Sequence, residues 1–123
     1  MKKRVLLIFI MTVVAVFTSC FPIETDDNEL LENTEWATRD HSQGLKFFNN
    51  GQVVFFWTYA NGSGSYLYNA SSQHVTFTNL TIVSQGIISE FTSAEILGDG
   101  TMKLYWHDVG NPENYYMILY RIR

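Results

Sequence analysis

Serine, carboxylate and histidine side chains could do chemistry in this 123-residue chain, but none falls into a spacing typical of a catalytic site. The closest approach to the Gly-x-Ser-x-Gly pattern of serine hydrolases, Asn61-Gly62-Ser63-Gly64, has instead the composition of a hairpin loop. Glu90 and Glu95 are five residues apart, and an unbroken strand would point them to opposite faces rather than into one acid–base pair. We therefore expect no catalytic residues and no enzyme activity.

Metal binding would depend on His41, His74 and His107. No two of them are spaced to share an ion along one strand, and no thiol accompanies them. Gly62-x-Gly64 lies between predicted strands, with no helix N-terminus to receive a phosphate. We expect exposed or loop histidines, no metal site and no cofactor.

Cys20, the only cysteine, follows a segment with the features of a secretory signal. A basic start, Lys2 to Arg4, precedes a 13-residue largely apolar run that ends at Phe17. Crossing a bilayer needs roughly 20 apolar residues, so the run is too short for a membrane anchor. Phe17-Thr18-Ser19-Cys20 resembles the lipobox of bacterial lipoproteins, although Phe17 and Ser19 replace the usual Leu and Ala or Gly.

The lipobox resemblance implies that residues 1–19 are a signal peptide and that Cys20 becomes the first mature residue, carrying palmitate-type acyl chains. Two or three such chains give stable membrane attachment. Ordinary cleavage near Cys20, which would leave a free thiol, is the alternative.

The charge distribution argues against nucleic acid as a partner. Without residues 1–19 the chain has five Lys or Arg against twelve Asp or Glu, and six of the acids lie between Glu24 and Glu35. Residues 20–32 therefore resemble a solvated acidic tether, while the domain at 33–123 is nearly neutral. Neither part offers a cationic surface for a phosphate backbone.

Beyond residue 33, short apolar strands alternate with turns. Asn49-Asn50-Gly51 and Gly98-Asp99-Gly100 are typical of hairpin turns. Trp36 belongs to the first strand, and residues 80–86 are either a short strand or an irregular edge. The other predicted strands are 45–48, 52–59, 65–69, 74–78, 87–97, 101–107 and 115–122. About eight strands without an amphipathic helix predict an all-β, antiparallel meander barrel.

Several of these segments resemble small lipocalin-like domains of secreted bacterial lipoproteins. Leu31-Glu32-Asn33-Thr34-Glu35-Trp36 is similar to their Leu-x-x-Thr-x-Trp opening, and the Gly64-Ser65-Tyr66 run to their third strand. The hairpin around Asn50-Gly51 and the closing Tyr120-Arg121 fit the same order. The resemblance covers roughly residues 30–123 and implies a meandering β-barrel without catalytic residues.

Two predicted strands, 53–59 and 115–120, are apolar on both faces, and each second face needs a burial partner. Aromatic planes suit apolar and sugar-bearing ligands, which makes some of these aromatics candidate ligand contacts. The candidates are Trp57, Tyr59, Tyr66 and Tyr68. A barrel this small can also fill with its own side chains, and the sequence leaves both possibilities open.

These features together predict a non-catalytic lipoprotein of the cell envelope, anchored through Cys20 to a membrane, which we expect to be the outer one. Its barrel would bind a small apolar or sugar-bearing ligand. The alternative is a structural or accessory surface protein that docks a partner protein through an apolar sheet face.

Overall fold

A computed structural model describes residues 27–123; the signal peptide and Cys20 predicted from the sequence lie outside the described residues. Within the described residues a 3-10 turn, Asn28–Leu30, precedes the strands. The strands are β1 (Glu35–Ala37), β2 (Gln43–Phe47), β3 (Gln52–Trp57), β4 (Asn61–Asn69), β5 (His74–Thr78), β6 (Thr81–Ser84), β7 (Ile87–Ile96), β8 (Thr101–Asp108) and β9 (Tyr115–Arg121). The predicted all-β class is confirmed. No helix in this range is long and apolar enough to cross a membrane.

The strands form one closed antiparallel barrel. From β1 to β5 each strand pairs with the next, β7 to β9 continue in the same way, and β9 pairs back onto β1. The ring closes where β5 pairs with Ser93 to Glu95 of β7. The short β6 pairs with the first part of β7 and lies outside the eight-stranded ring. The predicted meander barrel of about eight strands is therefore confirmed, and the uncertain stretch 80–86 contains a strand and its turn.

A β-bulge in β7 corrects the expectation for Glu90 and Glu95. The register shifts between Phe91 and Ser93, so the two halves of β7 are out of step by one residue. Phe91 and Ala94 are both buried in the barrel, which places both glutamates on its outer face rather than on opposite faces. Each meets a different neighbour across the sheet, His107 for Glu90 and Lys103 for Glu95.

One half of the barrel interior is filled by side chains. Inward positions alternate with outward ones along each strand, as in β5, where Val75 and Phe77 are buried between exposed neighbours. The buried set contains apolar residues from every strand of the ring, including Trp36, Leu45, Phe47, Val53, Tyr66, Val75, Ala94, Met102, Leu104 and Leu119. Burial of this apolar surface is the main stabilising contribution to the fold.

Residues 27–31, called the plug below, cover this filled end. The Asn28 side chain pairs with the backbone of β4, accepting from the Tyr68 N–H at 2.7 Å and donating to the Tyr66 carbonyl at 3.0 Å. Asp27 accepts from the Ala70 N–H through Oδ2 at 2.7 Å. Leu31 is 4% exposed and belongs to the core. Part of the stretch assigned to the tether from sequence therefore packs on the barrel.

A hydrogen-bonded chain explains the Leu-x-x-Thr-x-Trp spacing at the start of the domain. The indole Nε1 of Trp36 donates to the Thr34 hydroxyl at 3.0 Å, and that hydroxyl donates to the Leu31 carbonyl at 2.6 Å. All three residues are buried, so each polar atom needs the partner that this spacing supplies. The motif thereby fixes the plug to β1.

The start of β1 and the residues after β9 meet at the closed end of the barrel. Only Trp36 and Ala37 of β1 are in register with β9, and the contact is extended by Ile122, whose N–H donates to the Glu35 carbonyl at 2.8 Å. The Arg123 guanidinium also forms an ion pair with Glu35 at 2.9 Å. This seam joins the first and last strands of the ring.

Glycine allows the β5–β6 connection to cross β4 at close range. A Cβ on Gly62 would overlap the carbonyl oxygen of Thr81, and one on Gly64 would clash with the backbone of Thr78 and Asn79. A side chain at either position would push β6 away from the barrel wall.

The outer apolar face of β9 is partly covered by cationic side chains. Lys103 lies 4.4 Å above the Tyr116 ring and the Arg39 guanidinium 4.5 Å above Tyr120. Such cation–π contacts, together with the alkyl stems of these side chains, supply part of the burial that a second apolar face requires.

Candidate functional site

The end of the barrel opposite the plug is open and contains a cavity of about 390 Å³, called the cup below. It lies among the last residues of β3 and β8 and the first residues of β2, β7 and β9, with β6 at one side. Its floor is formed by Phe55 and Phe91, whose rings stack at 4.2 Å with an interplanar angle of 28°. The stack separates the filled interior from the open one.

Aromatic and aliphatic side chains dominate the wall, with a few polar groups toward the mouth. The apolar lining residues are Phe55, Trp57, Ile82, Ile87, Phe91, Trp106 and Met117, and the polar ones are Gln43, Ser84, Gln85, Ser89 and Asp108. An apolar concave surface with a few placed polar groups is the usual form of a small-molecule site.

Trp106 is held in the wall by neighbouring rings. Its ring centroid lies 4.8 Å from that of Tyr115 and 6.2 Å from that of Phe91. Its indole Nε1 is buried and has no hydrogen-bond partner within the described part of the chain. Leaving a buried donor unpaired costs about 1–3 kcal/mol, so this donor is an energetic defect in the cup wall.

Ser89 and Asp108 form the polar pair of the mouth. They face each other across β7 and β8, and the Ser89 hydroxyl donates to Asp108 Oδ1 at 2.7 Å. This bond fixes one oxygen of the carboxylate. Within residues 27–123 the other oxygen, Oδ2, accepts no hydrogen bond and is available to a ligand at the rim.

The structure does not bring the four predicted aromatic contacts together. Trp57 lines the cup, and Tyr59 packs edge-on against it at 5.0 Å but is 74% exposed outside the lining. Tyr66 and Tyr68 face inward at the other end, beneath the plug. The Tyr66 hydroxyl donates to the Phe48 carbonyl at 2.9 Å, a structural role. Burial and the charge of Asp27 raise the pKa of Tyr68, which keeps its hydroxyl neutral.

Sequence reasoning missed most of the cup, including Phe91, Ser89 and Asp108. A usable signal was the run Met102, Leu104 and Trp106, which alternates along one face of β8 and points the next alternate residue, Asp108, inward at the mouth. The alternation of apolar and polar residues could not show which end of the barrel holds the cavity, because inward-facing residues at both ends follow the same pattern.

The three predicted candidate histidines lie in different parts of the barrel. His41 lies in the β1–β2 turn with φ of 61°, and His74 begins β5 on the exposed side. His107 faces Glu90 on the outer wall, with Nε2 at 3.3 Å from Oε1. Among residues 27–123 no three His, Cys, Asp or Glu side chains are grouped to hold a metal ion.

An exposed aliphatic cluster flanks the mouth on the outer wall. Val83 pairs with Ile88 across the β6–β7 hairpin, and the Val109 N–H donates to the Ile88 carbonyl at 2.8 Å. The three side chains are 60%, 43% and 57% exposed, respectively. They form an apolar rim separate from the cup lining.

Comparison of the chain with protein-family models, with curated proteins and with solved structures finds no match in any of the three.

Proposed function

We propose that the barrel is a non-catalytic binding module that takes a small molecule with a flat apolar body into the cup. The observation that carries the proposal is the open cavity of about 390 Å³ whose wall contains the rings of Phe55, Trp57, Phe91 and Trp106. Its volume falls in the range of roughly 300–1,000 Å³ typical of ligand pockets. The lipocalin-like resemblance of the sequence points in the same direction.

Burial of the ligand's apolar surface supplies most of the affinity in this proposal. Each Å² removed from water contributes roughly 25 cal/mol, and stacking on the rings adds to that.

The test uses N-phenyl-1-naphthylamine, a neutral flat probe that fluoresces when it leaves water. The purified domain should give a saturable fluorescence rise. Ser84 lines the cup, whereas its neighbour Val83 is 60% exposed on the outer wall, which provides a matched pair of variants. Ser84→Trp should fill the cup and abolish the signal, and Val83→Trp should leave it unchanged. Equal binding by both variants would place the probe outside the cup and remove the basis of the proposal.

We also propose that the module is a lipoprotein of the cell envelope, in the outer membrane, with residues 1–19 removed and Cys20 acylated. The geometry supports an anchor that leaves the cup free, because the chain enters the barrel at Asp27, on the closed end. Asp27 is seven positions beyond Cys20, a separation that can span at most about 25 Å. Intact mass of the protein extracted from membranes should show the acyl chains on Cys20, and Cys20→Ser should release the protein from the membrane fraction. A full-length mass or a bare thiol would contradict the anchor.

Docking of a partner protein is the second candidate function, favoured by the exposed cluster of Val83, Ile88 and Val109. Contiguous exposed apolar residues are a usual mark of an interaction surface. Pull-down from cell-envelope extract with wild type and with a Val83→Ser, Ile88→Thr variant separates the two functions. A specific partner lost only in the variant supports docking, and unchanged probe binding by that variant shows that the cup acts independently.

A further inference from the structure

The cup carries charge of one sign. Asp108 is the only ionisable residue among those that line it in the described structure. All five Lys and Arg side chains of residues 27–123 lie elsewhere: Lys46, Lys103 and Arg39 over outer-face rings, and Arg121 and Arg123 at the closed end. A concave site with one sign of charge and low-dielectric walls concentrates ligands of the opposite sign.

The Asp108 carboxylate is positioned before any ligand arrives. The hydrogen bond from Ser89 holds Oδ1 at 2.7 Å and leaves Oδ2 without a donor among residues 27–123. A preorganised acceptor of this kind loses little conformational freedom on binding. A hydrogen bond from a charged donor is roughly twice as strong as one from a neutral donor.

The aromatic wall also favours a positively charged ligand. Trp57, Trp106 and the Phe55–Phe91 floor surround the space into which Asp108 faces. The negative faces of aromatic rings attract ammonium groups, and tryptophan does so most strongly. A carboxylate or phosphate ligand would meet the rings and Asp108 with no cation to balance it.

We infer that the cup is selective for organic cations, in which an ammonium group lies beside Asp108 and a flat apolar body lies among the rings of Trp57, Trp106 and Phe91. This inference rests on the proposed ligand-binding function and names its ligand class. Amines with an aromatic or polycyclic body fit the description, and fatty carboxylates do not.

A matched set of three probes on one ring tests the inference: 1-naphthylmethylamine, 1-naphthalenemethanol and 1-naphthoate, titrated calorimetrically at neutral pH and low salt. The ammonium compound should bind about tenfold or more tighter than the alcohol, and the carboxylate should bind weakest. Asp108→Asn keeps the acceptor for Ser89 and should remove the preference for the ammonium compound. Glu95→Gln, which removes a carboxylate from the outer face of β7, should preserve it.

The outcomes separate this inference from the function on which it rests. Comparable binding of all three probes overturns the cation selectivity while the cup remains a binding site. An unchanged preference in Asp108→Asn overturns the placement of the ammonium group beside Asp108. Absence of binding by every probe at millimolar concentration overturns both. Circular dichroism of Asp108→Asn shows whether the variant is folded, so that a loss of preference is not confused with a loss of structure.

Discussion

The rings of Phe55 and Phe91 stack at 4.2 Å across the barrel interior, although β3 and β7 are not neighbours in the sheet. Both residues are almost fully buried, and both also border the cup. This contact therefore joins opposite parts of the barrel wall and also forms the floor of the cup. Stability and the shape of the site are coupled through it.

Phe91→Ala tests that coupling. The substitution removes a buried ring and its stacking contact with Phe55, and we expect a loss of about 3–5 kcal/mol in the free energy of unfolding, measured by urea denaturation. Phe48→Ala, at a position 39% exposed, is the matched control and should cost less than about 1 kcal/mol. Similar losses in the two variants would contradict the role assigned to the stack.

Two tryptophans with opposite hydrogen-bonding states give a second prediction. Trp36 Nε1 donates to Thr34, whereas Trp106 Nε1 has no partner in the described structure. Trp36→Phe leaves the buried Thr34 hydroxyl without its donor and should cost about 1–3 kcal/mol of stability. Trp106→Phe removes an unpaired donor and should cost clearly less. Chemical denaturation of both variants measures the difference, and an equal loss would show that Trp106 Nε1 has an acceptor in solution.

Gly62 and Gly98 provide a matched pair for the close approach of β4 and β6. A Cβ at Gly62 would overlap the Thr81 carbonyl oxygen, while one at Gly98 meets open space. Gly62→Ala should therefore lower stability by about 1–3 kcal/mol or more, and Gly98→Ala should change it by no more than about 0.5 kcal/mol. Thermal unfolding of the two variants checks this, and a Gly62→Ala protein as stable as wild type would refute the contact.

Asp40 should make stability depend on pH in the acid range. Hydrogen bonds from the Thr38 hydroxyl and from the N–H and hydroxyl of Ser42 lower the pKa of Asp40 from 3.8 to about 2. Because unfolded chains take up this proton at a higher pH than folded ones, the contribution is present above about pH 4 and is lost as the pH falls toward 2. Thermal unfolding between pH 5 and 2 should show a shallower decline in Asp40→Asn than in wild type. Glu95→Gln serves as the control and should retain the wild-type slope.

Most strands and several turns could be predicted because their signals are local, but the prediction of a hairpin loop at Asn61 to Gly64 was wrong, since these residues begin β4. The alternation in His74–Thr78 and the Gly98-Asp99-Gly100 turn depend only on neighbouring residues, and the structure has both. The β6–β7 turn was harder, because Gln85 and Gly86 both adopt positive φ, 54° and 80°, and Gln is not a residue that indicates this conformation.

The cup could not be predicted because its position depends on long-range pairing. Tyr66 and Trp106 both face inward, yet the first lies beneath the plug and the second lines the open cavity. The two environments differ because the ring closes between β5 and β7 and because residues 27–31 pack on only one end of the barrel. No local pattern in the sequence predicts the bulge after Phe91 either. This bulge places Glu90 on the same outer face as Glu95.

Asp27 and Arg123 both lie at the plugged end, where Glu35 bonds the last residues of the chain. A tag or fusion partner added after Arg123 would therefore lie away from the mouth. A sensor surface coated through Arg123 would present its cups uniformly outward.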